Sequence, residues 1–416
     1  MKAARLPLFL VVLGVVVLGA ITVYRAAWGP IQRTDYTVYV AAGQAILDHG
    51  DIYLAENVRG WRYVYPPPFA ILTVPLAQIP LTLGVLIWYG LTILAVAATS
   101  RMSAALLGDT PLSKRPYVLY GWPLLCLCVV LVSGTMRAQV SPFMCMFVVA
   151  TFYFHLKKHP LAAGFSLACA ALLKVFPLVL IAYFILRREW RVVVAAVVAL
   201  AVLGLVLPSL YWGWQFNLEQ YAHWFEVVGL PALMKNTDRV YATELYEQLL
   251  NTAKPRNQSL EALFLSLGMS ADFTHYAVAA CACAMLAAMW AGARRIAARA
   301  CATAGRQAPG TAESLLCGAF IVWALLISPI AESHYFGALV LPLTLLLGCV
   351  EQGPQTRRRK TGILVAGTVI MVLAMVLLRE DATSILIWLL CMYFIVKLTP
   401  VSGRDARSRE GAQAPA

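Results

Sequence analysis

The sequence predicts an all-α, polytopic membrane protein, and three observations carry that prediction. Hydrophobic residues make up 61% of the 416 positions and charged residues 13%, with a mean hydropathy of +0.74. A soluble chain of this length cannot cover so much apolar surface, so its solvent is lipid. The apolar residues fall in long runs separated by short polar joints. Basic residues collect in some joints and avoid others, which is the positive-inside pattern. The formal charge of +13 is accounted for by that pattern and gives no reason to expect nucleic acid as a partner.

The first run, 6–24, lies within MKAARLPLFLVVLGVVVLGAITVY. It is long for a signal peptide and no small-residue cleavage site follows, so a retained anchor is expected. Further runs fall at about 66–80, 82–100, 117–133, 142–156, 160–173, 175–187, 192–210, 276–293, 314–329, 335–350, 361–378 and 383–397. A straight crossing takes about 20 apolar residues, so the shorter runs imply tilted, broken or re-entrant segments. The expectation is about 10–13 transmembrane or re-entrant helices.

Orientation follows from charge. Placing the N-terminus, 101–116, 157–159, 187–191, 294–313, 351–360 and the C-terminal tail in the cytoplasm gathers there most of the 33 Lys and Arg and few of the 20 Asp and Glu. One parity conflict remains. If 66–80 crosses fully, the joint 101–116 falls outside despite Arg101, Lys114 and Arg115. Either 66–80 is re-entrant or that joint breaks the rule.

Two long loops then face the other side. In 25–65, Tyr36, Tyr39, Val40, Ala42 and Ile46 recur at helical spacing, which predicts a short helix lying along the membrane surface. His49-Gly50-Asp51 ends it, with Gly50 the expected C-cap. The second loop, 211–275, is rich in Trp, Tyr and amides, as interfacial elements are. No repeat or linker interrupts the chain, so 1–400 reads as one transmembrane catalytic domain and 401–416 as a disordered cytoplasmic tail. Most of the ten cysteines lie in apolar runs, and no CxxC pair exists. They read as small hydrophobes, with neither a disulfide framework nor a zinc site.

Few polar residues sit where they could do chemistry. Asp35 follows the first apolar run closely and has Tyr36 and Tyr39 beside it. Its bland reading is a solvated carboxylate or a helix N-cap. Its chemical reading is a partly desolvated carboxylate of raised pKa, suited to general-base work. Tyr65-Pro66-Pro67-Pro68 forms a rigid entry into the next helix. Arg137 and Gln139 interrupt two apolar runs, as a snorkelling pair or as ligand contacts. Lys174 lies within the apolar stretch 161–186, three residues before Pro177. It is either an intramembrane cation or the cap of the first of two short helices; both readings place it where it could neutralise a lipid phosphate. Ser328-Pro329 and Glu332-Ser333-His334-Tyr335 form a further polar hinge. Asn257-Gln258-Ser259 is a formal glycosylation sequon whose side chains could also bind sugar hydroxyls, with Arg239, Lys254 and Arg256 nearby. Six scattered histidines without HxxxH spacing give no metal motif.

These residues resemble glycosyltransferase family 87, of the GT-C superfamily. The matching pieces are Asp35 with its tyrosine-rich helix, Tyr-Pro-Pro at 65–67, Gln139 near a helix start, LKVFP at 173–177, NQSL at 257–260 and SP…HY at 328–335. They stand in the family's order over roughly residues 1–350. The family commonly has Gly before the Gln, where this chain has Ala138; the expected consequence is confined to local packing. The resemblance implies a GT-C-like fold and a sugar linked to a polyprenyl phosphate as donor, with no cofactor required. It implies inverting transfer to a lipid or glycan hydroxyl on the non-cytoplasmic face of the plasma (inner) membrane, with a hexose such as mannose, or a pentose, as the sugar. Asp35 would be the base, and Lys174 and His334, with Arg137, would meet the donor phosphate. Tyr36, Tyr65, Gln139, Asn257, Gln258 and Glu332 would line the substrate site. The competing class is a transporter or lipid-linked-sugar flippase, which the many broken helices and Lys174 favour. The absence of an inverted hydropathy repeat counts against it.

Overall fold

The computed structural model describes residues 5–30, 34–107, 110–231, 257–302, 310–377 and 380–399. Within them every regular element is a helix. Helix α1 (Arg5–Val23) runs on through a π-helical turn, Tyr24–Trp28. It is followed by α2 (Tyr36–Leu47), α3 (Pro67–Ala77) and α4 (Leu81–Ala105). Helices α5 (Pro116–Cys126) and α6 (Cys128–Met136) meet at a bend of 70°. Next come α7 (Ser141–Leu156), α8 (Pro160–Leu173), α9 (Ile181–Leu186), α10 (Trp190–Ala201), α11 (Leu207–Trp212) and α12 (Trp214–Trp224). The chain closes with α13 (Leu260–Ser266), α14 (Ala271–Ala302), α15 (Thr311–Ile327), α16 (Val340–Gln352), α17 (Arg357–Leu377) and α18 (Glu380–Leu398). Among the described residues, seven helices are long and apolar enough to cross a membrane, or up to 8 if the bent pair is one span. The remaining apolar runs became helices of 10–17 residues.

The parity conflict resolves in favour of a re-entrant α3. Its 11 residues rise only about 16 Å, against a hydrocarbon core of about 30 Å. Pro80 then breaks the chain and α4 starts. Trp28 Nε1 donates to Thr82 Oγ1 at 3.1 Å, and Tyr89 donates to the Val15 carbonyl. The end of α1 therefore abuts the start of α4, and α4 runs back along α1. Residues 66–80 return to the side they left, so 101–116 stands with the start of α1. There Arg115 pairs with Glu351 at 2.8 Å, just ahead of the run Arg357–Lys360. The basic joints gather at one end of the bundle, the basic end.

Burial sorts the helices by depth. The span Ser333–Gln352 is 89% buried, whereas Ala271–Arg299 is 17% buried and shows most of its surface to the outside. An apolar helix without a polar face belongs in the interior, and α15 and α16 are buried nearly throughout. Two close approaches set the packing. A Cβ on Gly164 of α8 would meet Ala195 Cβ, Ala196 N and Val192 O of α10 at 2.6 Å. A Cβ on Gly43 of α2 would meet the Thr73 carbonyl oxygen of α3 at 2.8 Å.

That second contact corrects the expectation of a surface helix. The helix forms as the spacing predicts, but Tyr36, Tyr39, Ala42 and Ile46 are buried in the protein core. Protein, through α3, covers the apolar face that lipid was expected to cover. Its end also differs. His49, at φ 54, takes the left-handed position, while Gly50 N–H bonds the Ala45 carbonyl at 2.7 Å and His49 N–H the Ile46 carbonyl at 3.1 Å. This is a Schellman closure with Gly50 one residue past the left-handed site. The second loop is described up to residue 231 and from 257; Arg239, Lys254 and Arg256 lie outside the described residues, as does the tail 401–416.

Candidate active site

Asp35 occupies the N-cap position of α2, yet its carboxylate makes no capping bond. The cap reading fails because the side chain is engaged elsewhere: Gln139 Nε2 donates to Asp35 Oδ2 at 2.5 Å. The backbone is tied to the same turn, since Asp35 N–H bonds the Arg137 carbonyl at 3.0 Å. Residues 135–139 close α6 with a Schellman motif. Ala138 N–H bonds Thr135 O at 2.9 Å and Gln139 N–H bonds Gly134 O at 3.1 Å. Ala138 takes the left-handed position at φ 50. A Gly–Ala difference at this position is therefore a matter of backbone conformation, and the expectation that only packing was at stake is corrected.

In its backbone Lys174 follows the second of its two readings. It ends α8 in an extended conformation, after which Phe176–Leu180 forms a 3-10 turn. Pro177 lacks the N–H that a continued α-helix would donate to the Leu173 carbonyl. The side chain turns inward and is 8% exposed. Its ammonium lies 3.8 Å from the ring centroid of Tyr335 and 5.4 Å from that of Tyr65. It makes no hydrogen bond among the described residues, so cation–π contact is what replaces part of its hydration.

The third segment is 328–335. Asn257 holds it: its Nδ2 donates to the Pro329 carbonyl at 2.7 Å and its Oδ1 accepts from Ala331 N–H at 2.9 Å. Gln258 N–H adds a bond to the Ala331 carbonyl at 2.7 Å. Glu332, 26% exposed in its side chain, lies 3.0 Å from the Nε2 of buried His334. A Cβ on Gly134 would come within 3.1 Å of His334 Cβ, so this segment packs directly on the turn that carries Gln139.

Charge links the three segments. Burial pushes the Asp35 carboxyl up from 3.8 to about 6, and Glu332 adds to the rise, while Lys174, Arg137 and the Gln139 bond oppose it. Burial lowers the Lys174 ammonium to about 8, with Glu332 and Asp35 holding it up. Burial alone would raise Glu332 as well. His334, Lys174 and Arg137 override it and hold that carboxyl down at about 2. Asp35, Arg137, Lys174, Glu332 and His334 thus share one field.

Aromatic residues form the floor. Tyr39 OH lies 3.2 Å from Tyr65 OH and accepts from Val140 N–H at 3.1 Å. Phe69 and Trp88 pack on the Tyr39 ring. Tyr39 and Tyr335 belong to the cluster although sequence reasoning did not single them out as site residues. The signal was present in their adjacency to Asp35 and His334. Tyr36, by contrast, packs on Trp88 and turns its hydroxyl to Gly84 of α4, and the Asn257 side chain braces backbone. Several buried polar atoms here lack a partner among the described residues: Thr34 Oγ1, Gln139 Oε1 and Ser141 Oγ. Orphaned polar atoms cost free energy, and their concentration beside Asp35 suits a ligand rich in hydroxyls. No group of His, Cys, Asp and Glu among the described residues could hold a metal ion.

A many-helix apolar bundle holds the Asp35 carboxylate in the field of the buried Lys174 ammonium. Comparison decides the class: the model of glycosyltransferase family 87 matches residues 63–329, and the chain belongs to that family. The match includes Tyr65, Arg137, Gln139, Lys174, Asn257 and Gln258; Asp35 and Tyr36 precede it, and Glu332 and His334 follow it. The protein is a membrane glycosyltransferase, and the transporter reading is set aside. A similar protein is a polyprenol-phosphate-mannose-dependent alpha-(1-2)-phosphatidylinositol mannoside mannosyltransferase from Mycolicibacterium smegmatis. It is 26% identical over 337 residues, covering 73% of this chain and 67% of the relative. No solved structure matches.

Proposed function

We propose that the protein moves a sugar, mannose by analogy with that relative, from a polyprenyl-phosphate donor to a hydroxyl of a lipid or glycan acceptor. The observation that carries this reading is the Asp35 carboxylate held by Gln139 within the field of Lys174, Arg137 and Glu332. Asp35 takes the acceptor proton while the acceptor oxygen bonds the anomeric carbon from the face opposite the phosphate. The bond from that carbon to the phosphate oxygen breaks with its electron pair going to phosphate, which inverts the configuration. Negative charge grows on the leaving oxygen, and preorganised cations there lower the barrier. Lys174 and Arg137 serve that role, with His334 beside them and with Tyr65 and Tyr335 fixing the ammonium. Gln139 orients the base. Under the positive-inside rule the basic end is cytoplasmic, which puts Asp35 on the non-cytoplasmic face of the cell membrane. A lipid-borne donor keeps its chain in the bilayer and brings only its head to the site.

The test uses purified protein in nanodiscs with radiolabelled polyprenyl-phosphate sugars. Loss of a general base costs about 10²–10⁴ in rate, so Asp35→Asn should lose transfer by that factor. Raising a carboxyl from 3.8 to about 6 means that the folded state prefers its neutral form. That preference stabilises the fold at low pH and is lost as pH rises through about 6. The neutral Asn variant should therefore melt no lower than wild type at neutral pH. An active, folded Asn variant would remove Asp35 from the mechanism.

A further inference from the structure

At the far end of α4 from Asp35, a cavity of about 650 Å³ opens between the last turns of α4, the start of α5 and the end of α7. That volume is within the range of small-molecule sites and far above what a single inorganic anion fills. Its walls differ in character. Ala98, Met102 and Ala105 of α4 and Leu119 of α5 make an apolar side. Arg101, Tyr120 and Tyr153 make a polar one, and none of the three has a side-chain hydrogen bond or ion pair among the described residues.

The surroundings are positive. Lys114 ends the exposed 3-10 turn Pro111–Lys114 beside the cavity and has no partner among the described residues. Lys157 stands one turn beyond Tyr153, its N–H on the Tyr153 carbonyl at 3.0 Å. The nearby acid, Glu351, is already paired with Arg115 at 2.8 Å. Arg101 lies in the last two turns of a 25-residue span, the level at which a helix of that length meets lipid headgroups.

We propose that this cavity holds an anionic phospholipid of the leaflet at the basic end. The phosphate lies against Arg101 with the Tyr120 and Tyr153 hydroxyls donating to it, and the acyl chains run along Ala98, Met102, Ala105 and Leu119. Basic pockets between membrane helices recognise anionic headgroups on these terms. The site is separate from the transferase chemistry and does not depend on the role given to Asp35.

The test is a titration of detergent-purified protein with phosphatidylglycerol or phosphatidylcholine of identical acyl chains, bound lipids being counted by native mass spectrometry. Wild type should retain phosphatidylglycerol in preference. Arg101→Gln should lose about fivefold of that preference, the worth of one cation at the headgroup level. Ala105→Trp fills the cavity and should abolish the tight site, whereas Val197→Trp, on an exposed face of α10, should leave it intact. Thermal melts identify any variant that has not folded, and wild type alone still decides the headgroup preference. Equal retention of the two lipids overturns the proposal. So does a preference that survives both Arg101→Gln and Ala105→Trp, or displacement of the lipid by inorganic phosphate at equal concentration.

Discussion

Asp35 and Lys174 are poised on opposite sides of neutrality, and burial is the common cause. A base needs its proton off and a phosphate ligand needs its proton on, so both conditions hold only between about 6 and about 8. The profile of kcat/KM against pH should rise through the lower value as Asp35 ionises and fall through the upper as Lys174 becomes neutral. Glu332 raises both groups. Glu332→Gln should therefore shift both limbs to lower pH, an outcome that simple unfolding would not produce; unmoved limbs would show that Glu332 does not tune the pair. Ala138 offers a second test at this scale. An L-residue in the left-handed region costs about 1–2 kcal/mol, which Gly avoids while losing some backbone entropy. Ala138→Gly should raise stability in detergent by about 1 kcal/mol without moving Gln139. A lower melting temperature would contradict the strain.

Among the elements, the informative ones are those that stop early. Helix α3 stops at Ala77 and returns, α8 stops at Leu173 and delivers Lys174 inward, and the 70° bend between α5 and α6 brings the 137–139 turn to Asp35. A proline stands at each break: Pro80 after α3, Pro177 after Lys174 and Pro123 before the bend. Which way the chain turned after each was not readable, because direction depends on the neighbour that receives it. Gly164 shows how tight that reception is. Filling the 2.6 Å contact must push α8 from α10, and overpacking of this kind costs about 1–3 kcal/mol. Gly164→Leu should lower the melting temperature and, because α8 ends in Lys174, also weaken transfer more than Gly121→Leu, where a Cβ meets nothing within 4 Å. Equal effects of the two would mean that α8 and α10 are not in backbone contact.

The molecule as a whole has two unlike ends. One carries the carboxylates, Lys174 and the aromatic floor; the other carries the basic joints and closes α7 and α9 with Lys158 at φ 63 and Arg188 at φ 56. Antiparallel α1 and α4 fix which joint belongs to which end, so cysteine accessibility reports it. Lys114→Cys should be shielded from an impermeant maleimide in intact cells, while Gln215→Cys, on exposed α12, should react. Labelling of both from outside would mean that α3 crosses after all.

Apolar content and its spacing were enough to settle the membrane class and most of the helices, because hydropathy is a property of short stretches. Tertiary contact decided the rest. It turned α3 back, covered α2 with protein, set the Asn257 side chain against the 329–331 backbone and the Tyr36 ring against Trp88, and brought Tyr39 and Tyr335 into the cluster. The reason is physical: an apolar side chain satisfies lipid and protein equally well, so no local pattern tells a helix face which of the two will cover it. A cation or carboxylate gains its partners only when segments far apart in the chain are brought together.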